Sequence, residues 1–238
     1  MADNLATLYA ASMKHHPYGH ALYVPVDSTI LRQGSVGYID EEGSWQPILA
    51  TIEDDDDLKE RGFSPVGDLV YATPSQHVWG PKTASSVSGR KLDVSGGASA
   101  AATGLPIGAN VAMGYSTSKG FGAILHCPGK VEEEGFFHHD VFVKWAKKNA
   151  QAVFNARPEV WTRNFYVVKK VYKTRDVWLN AGYWHDQTVT MGFELTAEAL
   201  GQLGPHGEFS QGHSATGWEH HEVRFCSGNL LHLILIFF

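Results

Sequence analysis

Three pairs of adjacent histidines, His15-His16, His138-His139 and His220-His221, are the residues that first suggest chemistry. Neighbours along a strand point to opposite faces, and on a helix they diverge by about 100°, so one pair rarely supplies two ligands to one ion. His139 beside Asp140 has the makings of an acid/base pair, yet no nucleophile accompanies it, which favours a capping or surface role. The acidic run at 53–57 lacks the ligand spacing of a calcium loop and reads as a solvated loop. No G-x-S-x-G elbow, phosphate loop, H-E-x-x-H or G-x-G-x-x-G occurs. The sequence therefore indicates no enzyme, no resident metal and no cofactor.

Charge is more informative. Residues 144–175 hold Lys144, Lys147, Lys148, Arg157, Arg163, Lys169, Lys170, Lys173 and Arg175 against Glu159 alone. Nine bases less one acid leave +8, so on a total of −6 the rest of the chain carries −14. Such asymmetry suits a local basic face meeting an anionic surface, where each basic residue contributes about 1 kcal/mol near anionic lipid. A solvated helix face beside an exposed strand explains it equally well. The negative total argues against a general nucleic-acid binder, and no aromatic platforms interleave with the bases.

The elements that must position these charges are legible in part. Asp3 can cap a short helix carrying Leu5, Leu8, Tyr9 and Met13 to Lys14, which Pro17 and Gly19 end. The segment "GFFHHDVFVKWAKKNAQAVFN" predicts a longer helix with Phe137, Val141, Trp145 and Val153 on one face, closed by Pro158. Elsewhere strand patterns dominate, including "ALYVPVDS", "NFYVVKKVYKTRDVWLN" and "TVTMGFELT". The apolar "LLHLILIFF" is about half of the ~20 residues a membrane-spanning helix requires and reads as a buried strand. The fold class is α+β with a twisted antiparallel sheet and flanking helices, in one domain of 238 residues. No signal peptide is evident, and Cys127 and Cys226, outside any C-x-x-C spacing, fit a reducing compartment as buried thiols.

Two alternating patterns stand out. Ala109, Val111, Met113 and Tyr115 alternate with Gly108, Asn110, Ala112 and Gly114, and Val189, Met191, Phe193 and Leu195 alternate with Thr188, Thr190, Gly192 and Glu194. Half-buried strands of an ordinary sheet read this way, and so do transmembrane β-strands of ~9–11 residues.

The ordered combination of "LYVPVDS", "GSVGYIDEEGSWQPI", "SGRKLDVSGGASAAATGLPIGANVAMGYS", a helix and "NFYVVKKVYKTRDVWL" resembles the gasdermin pore-forming domain, above all its compact fungal relatives of heterokaryon incompatibility. The resemblance runs from about Leu22 to Phe238. It implies a protein that binds anionic phospholipid, oligomerises, and refolds two segments into membrane-spanning β-hairpins of a barrel pore, causing regulated cell death. Closure of the barrel satisfies every backbone group inside lipid. The implied hairpins are 85–94 with 107–124, joined by the uncharged tip 95–104, and 176–195 with 208–224, joined by "TAEALGQLGP". Membrane-inserting positions would be Leu92, Val94, Ala109, Val111, Met113, Tyr115, Val189, Met191, Phe193 and Leu195, with Lys91, Asp93, Glu194 and Glu208 facing the lumen. Lipid contacts would fall on Lys14, Lys144, Lys147 and Lys148, with Arg32 as an addition. The chain lacks the family's C-terminal inhibitory domain in this reading, so an incompatible allelic variant, in a homo- or hetero-oligomer, replaces cleavage as the trigger. It would be cytoplasmic when inactive and at the plasma membrane when assembled. The rival from another class is a soluble α+β module binding a carbohydrate or small ligand through its Trp and Tyr residues. A hydrolase using His139 or His220 with a carboxylate is a third, weaker option.

Overall fold

The computed structural model describes residues 4–92, 111–118, 120–184, 188–194, 211–214, 218–222 and 231–237. Helix α1 (Leu5–Met13) is capped by Asn4, whose side chain accepts the Ala6 N–H at 2.9 Å. The cap therefore falls one residue after the one expected, on a side chain equally able to take an orphan N–H. Ala6, Tyr9 and Met13 are its buried face.

Strands β1 (Val26–Asp27), β2 (Val36–Ile39) and β3 (Trp45–Leu49) follow. The β2–β3 turn is held by Asp40, which accepts the Glu42 and Ser44 N–H groups at 3.0 and 2.8 Å and the Gln46 amide at 2.7 Å. Burial works to raise the Asp40 pKa, but these bonds outweigh it and the carboxyl lies below its ordinary range. The acidic run is not the loop expected. Asp54 caps helix α2 (Asp55–Glu60) by accepting the Asp56 and Asp57 N–H groups, and Asp55, Asp56 and Asp57 occupy the first turn, where the helix dipole favours negative charge.

Next come β4 (Ser75–Val78), β5 (Lys82–Thr83), β6 (Val87–Leu92), β7 (Val111–Thr117), β8 (Phe121–His126) and β9 (Lys130–Gly135). Helix α3 (Asp140–Ala156) buries Phe142, Trp145, Ala146, Asn149 and Val153. Half of the expected stripe is displaced: Phe137 precedes the helix and is exposed, and Phe142, three residues before Trp145, takes the core position in place of Val141. Asn149 accepts the Ser64 N–H at 2.6 Å and Trp145 donates its indole N–H to the Ser64 carbonyl at 2.8 Å, which ties the extended segment after α2 to the helix. Pro158 opens a 3₁₀ helix (Pro158–Thr162). The chain continues through β10 (Phe165–Thr174), β11 (Asp176–Tyr183), β12 (Val189–Glu194), β13 (Gln211–Ser214), β14 (Glu219–Glu222) and β15 (Leu231–Phe237).

Among the described residues all strand pairings are antiparallel, in three sheets where a single one was expected. The seven-stranded sheet is organised around β10, which pairs with β15 along one edge and with β2 and then β9 along the other. A bulge between Val168 and Lys170 shifts its register. The apolar run predicted as a strand is β15, paired on both sides, with β1 and β10. One core cluster places α3 against β2, β3 and Val167, and another places α1 beneath Trp79, Leu125, Tyr172 and Leu179.

Candidate functional site: a jointed four-stranded ribbon and a basic helix

The remaining eight strands form two four-stranded sheets, ordered β14-β11-β8-β5 and β13-β12-β7-β6. In sequence β5 leads into β6, β7 into β8, β11 into β12 and β13 into β14, so the two sheets are the halves of one antiparallel ribbon interrupted at a common level. Period-two patterning marks individual strands but not their partners. The structure supplies the partners: the two implied hairpins lie side by side, joined along β8–β11 and β7–β12.

The joint is built from glycines, hydroxyls and tryptophans. Gly120 takes a left-handed φ of 78°, and its carbonyl accepts the Trp184 N–H at 2.7 Å. Thr117 and Ser86 hydroxyls donate to the Phe121 carbonyl at 2.9 and 3.2 Å. Trp184 packs with Tyr115, Ile124, Trp178 and Trp218 in a cluster that Met113 and Val189 border. A Cβ at Gly122 would stand 2.4 Å from the Trp184 ring, so only glycine fits there. The reading of 107–124 as one strand is therefore corrected: β7 ends at Thr117 and β8 begins at Phe121. Sequence reasoning missed the cluster. The signal for it was the Gly-Phe-Gly at 120–122, with tryptophans at 178, 184 and 218.

The register places the sequence-predicted positions directly. Val189 pairs with Tyr115, Met191 with Met113 and Phe193 with Val111, which puts the two alternating rows on one face of the sheet. Strand β6 departs from expectation. Lys91 pairs with Met113 and Leu92 with Ala112, so Lys91 takes the row shared by Met113 and Tyr115 and Leu92 takes the other. β6 carries no clean alternation of its own, and pairing with β7 sets its register. Glu194 pairs with Gln211, in the row opposite Phe193. Val94, Ala109, Leu195, Asp93 and Glu208 lie outside the described residues. Tyr115 is fully buried in the joint.

The basic segment divides in three dimensions. Arg163 pairs with Glu41, Lys170 with Glu133 and Lys173 with Glu134, acids that turns and strand pairing bring to it. Lys144, Lys147 and Lys148 stay exposed on the outer face of α3, and no ion pair engages them among the described residues. Lys14 is exposed at the end of α1 and Arg32 in the loop before β2. Helices α1 and α3 pack on different core clusters.

Arrangements that could do catalysis are poorly aligned for it. The Ser75 hydroxyl and a Glu133 carboxylate oxygen meet the same ring nitrogen of His77, Nε2, at 3.0 and 2.8 Å, so no relay through the ring is set up. His220 stacks on Trp178 at 4.0 Å and bonds Asp176 at 2.8 Å on the sheet surface. Among the described residues no three of His, Cys, Asp and Glu converge on a point. A cavity of about 730 Å³ lies between α1 and the β2/β10 region, lined by Lys14, His20, Tyr23, Asp40, Arg163 and Tyr166 among others. Burial, with Lys14 adding to it, pushes the His20 imidazole down to about 4.

No family model matches the chain, and no curated protein matches it. Among solved structures it is similar to a bacterial gasdermin from Bradyrhizobium tropiciagri, at 14% identity over 91% of this chain and 80% of that one, with a TM-score of 0.32. Among the described residues, no helix is long and apolar enough to cross a membrane, which says nothing of strands.

Proposed function

We propose that this chain is a non-enzymatic, gasdermin-like pore-forming protein. It docks on anionic phospholipid through Lys144, Lys147 and Lys148, aided by Lys14 and Arg32, oligomerises, and extends its two strand pairs into a transmembrane β-barrel. The supporting observation is the ribbon: two strand pairs already lie edge to edge in register, with Val189, Met191 and Phe193 opposite Tyr115, Met113 and Val111. A barrel needs such antiparallel neighbours, the β7 and β12 positions named supply apolar residues on one face, and closing it leaves no edge exposed to lipid. The chain rests in the cytoplasm and acts at the plasma membrane, and contact with an incompatible allelic variant starts assembly. Dye release from liposomes tests this, with and without phosphatidylserine, using the protein alone and mixed with the variant. Leakage that needs anionic lipid is expected, and a requirement for the variant identifies hetero-assembly. No leakage in any mixture overturns the proposal.

The cavity of about 730 Å³ favours a second reading, a soluble module binding a small ligand beside α1, since its volume is that of ordinary ligand sites. That reading expects a ligand that raises the melting temperature and vesicles that stay sealed.

A further inference from the structure

Six of the seven tryptophans are 9% exposed or less, whereas Trp161 is 69% exposed. It belongs to the 3₁₀ helix after α3, and its ring lies flat on Phe154, with centroids 4.4 Å apart and planes 15° from parallel. Phe154 is itself half-buried against the α3 core and meets Phe165 edge-on at 6.3 Å. One face of the indole thus rests on a fixed aromatic base while the rest stands in water. Leaving so large an apolar surface hydrated forgoes the stabilisation that burial gave the other six.

The position of this ring relative to the lysines is what gives it meaning. Phe154 follows Lys147 by seven residues, two helical turns, so both lie on one flank of α3 about 10 Å apart. Lys144 and Lys148 continue the exposed stripe, and Arg157 is exposed at its end. Of the nearby acids, Glu159 accepts the Tyr38 hydroxyl at 3.1 Å, and Asp140 sits in the first turn of α3, at its opposite end. A cationic stripe ending in a supported, exposed indole matches the interface of an anionic bilayer, where the charges meet headgroups and the indole sits at the polar boundary.

We infer that Trp161, held on Phe154, is an interfacial anchor that seats the lysine face of α3 on an anionic phospholipid surface before any strand enters the bilayer. The inference rests on the pore-forming reading and adds the docking geometry. It is tested by flotation with vesicles of phosphatidylcholine, with and without phosphatidylserine, comparing wild type, W161A and W161Y, with thermal melting as the check on folding. W161A is expected to bind phosphatidylserine vesicles about tenfold more weakly, and W161Y, which keeps an interfacial ring, to recover most of the loss. Because the other six indoles are buried, the emission of the wild type should shift to the blue on docking. Equal binding by W161A and wild type overturns the anchor, as does a wild type that binds no vesicles. Dye release separates the two claims: a wild type that docks through Trp161 but never leaks defeats the pore and keeps the anchor. A wild type that leaks, with W161A docking and leaking equally, does the reverse.

Discussion

Replacing Gly122 with alanine probes the joint of the ribbon. The new Cβ would stand 2.4, 2.5 and 2.6 Å from three atoms of the Trp184 ring, where carbon atoms rest at about 3.5–4.0 Å. The ring must therefore shift by about 1 Å or more. Trp184 is buried among Tyr115, Ile124, Trp178 and Trp218, so it has no free volume to enter. Overpacking of this kind costs about 1–3 kcal/mol. For a chain of this size that lowers the melting temperature by about 2–12 °C. G129A is the control, since a Cβ there meets nothing within 4 Å. If the joint must open for the strands to extend, G122A should also release dye from phosphatidylserine vesicles faster than wild type, to the same final extent. A melting temperature for G122A equal to that of G129A would refute the packing argument. A destabilised G122A that leaks more slowly would refute the idea that the joint opens.

Two further outcomes follow from the same geometry. K144A/K147A/K148A removes three exposed charges worth about 1 kcal/mol each near anionic lipid, so binding to phosphatidylserine vesicles should fall about 100-fold, and added salt should mimic the loss; salt-insensitive binding would sink the electrostatic part of the account. Desolvation of the half-buried His20 imidazole, with Lys14 beside it, lowers its pKa from an ordinary 6.5 to about 4, so the unfolded chain binds the extra proton between those values. Its contribution is complete above pH 6.5 and is lost as pH falls through 4, by up to about 3 kcal/mol. The melting temperature of H20Q should decline less with acid than that of wild type, and identical declines would contradict the assignment.

The alternation read over 108–115 and 188–195 coincides with β7 and β12 where those residues are described, because a half-buried strand imprints a period of two. That these strands are partners was not legible, since side-chain period carries no information about the neighbour across the hydrogen bonds. The joint escaped notice because strand-like residues flank it on both sides, at 111–115 and 121–126, although the polar Ser-Thr-Ser-Lys at 116–119 and the glycines at 120 and 122 mark the interruption. Residues 144–175 looked uniformly basic because a linear count cannot include Glu41, Glu133 and Glu134, which arrive through a turn and an antiparallel strand. The lysines of α3 survived as a free face because no strand pairs across a helix surface. Phase along α3 was half right for a related reason: Trp145 and Val153 fixed the stripe, but whether Val141 or Phe142 completes it depends on Phe136, which meets Phe142 at 5.3 Å.

Single-cysteine labelling along β7 tests most directly whether the β7 and β12 rows pass into lipid. With Cys127 and Cys226 replaced, an environment-sensitive dye is placed in turn at Met113, Gly114, Tyr115 and Ser116, and quenchers are supplied either in the lipid or in the water. On phosphatidylserine vesicles the account predicts a period of two, with positions 113 and 115 quenched from lipid and 114 and 116 from water. Labels that show no alternation, or that lipid quenchers never reach while the vesicles leak, would contradict it.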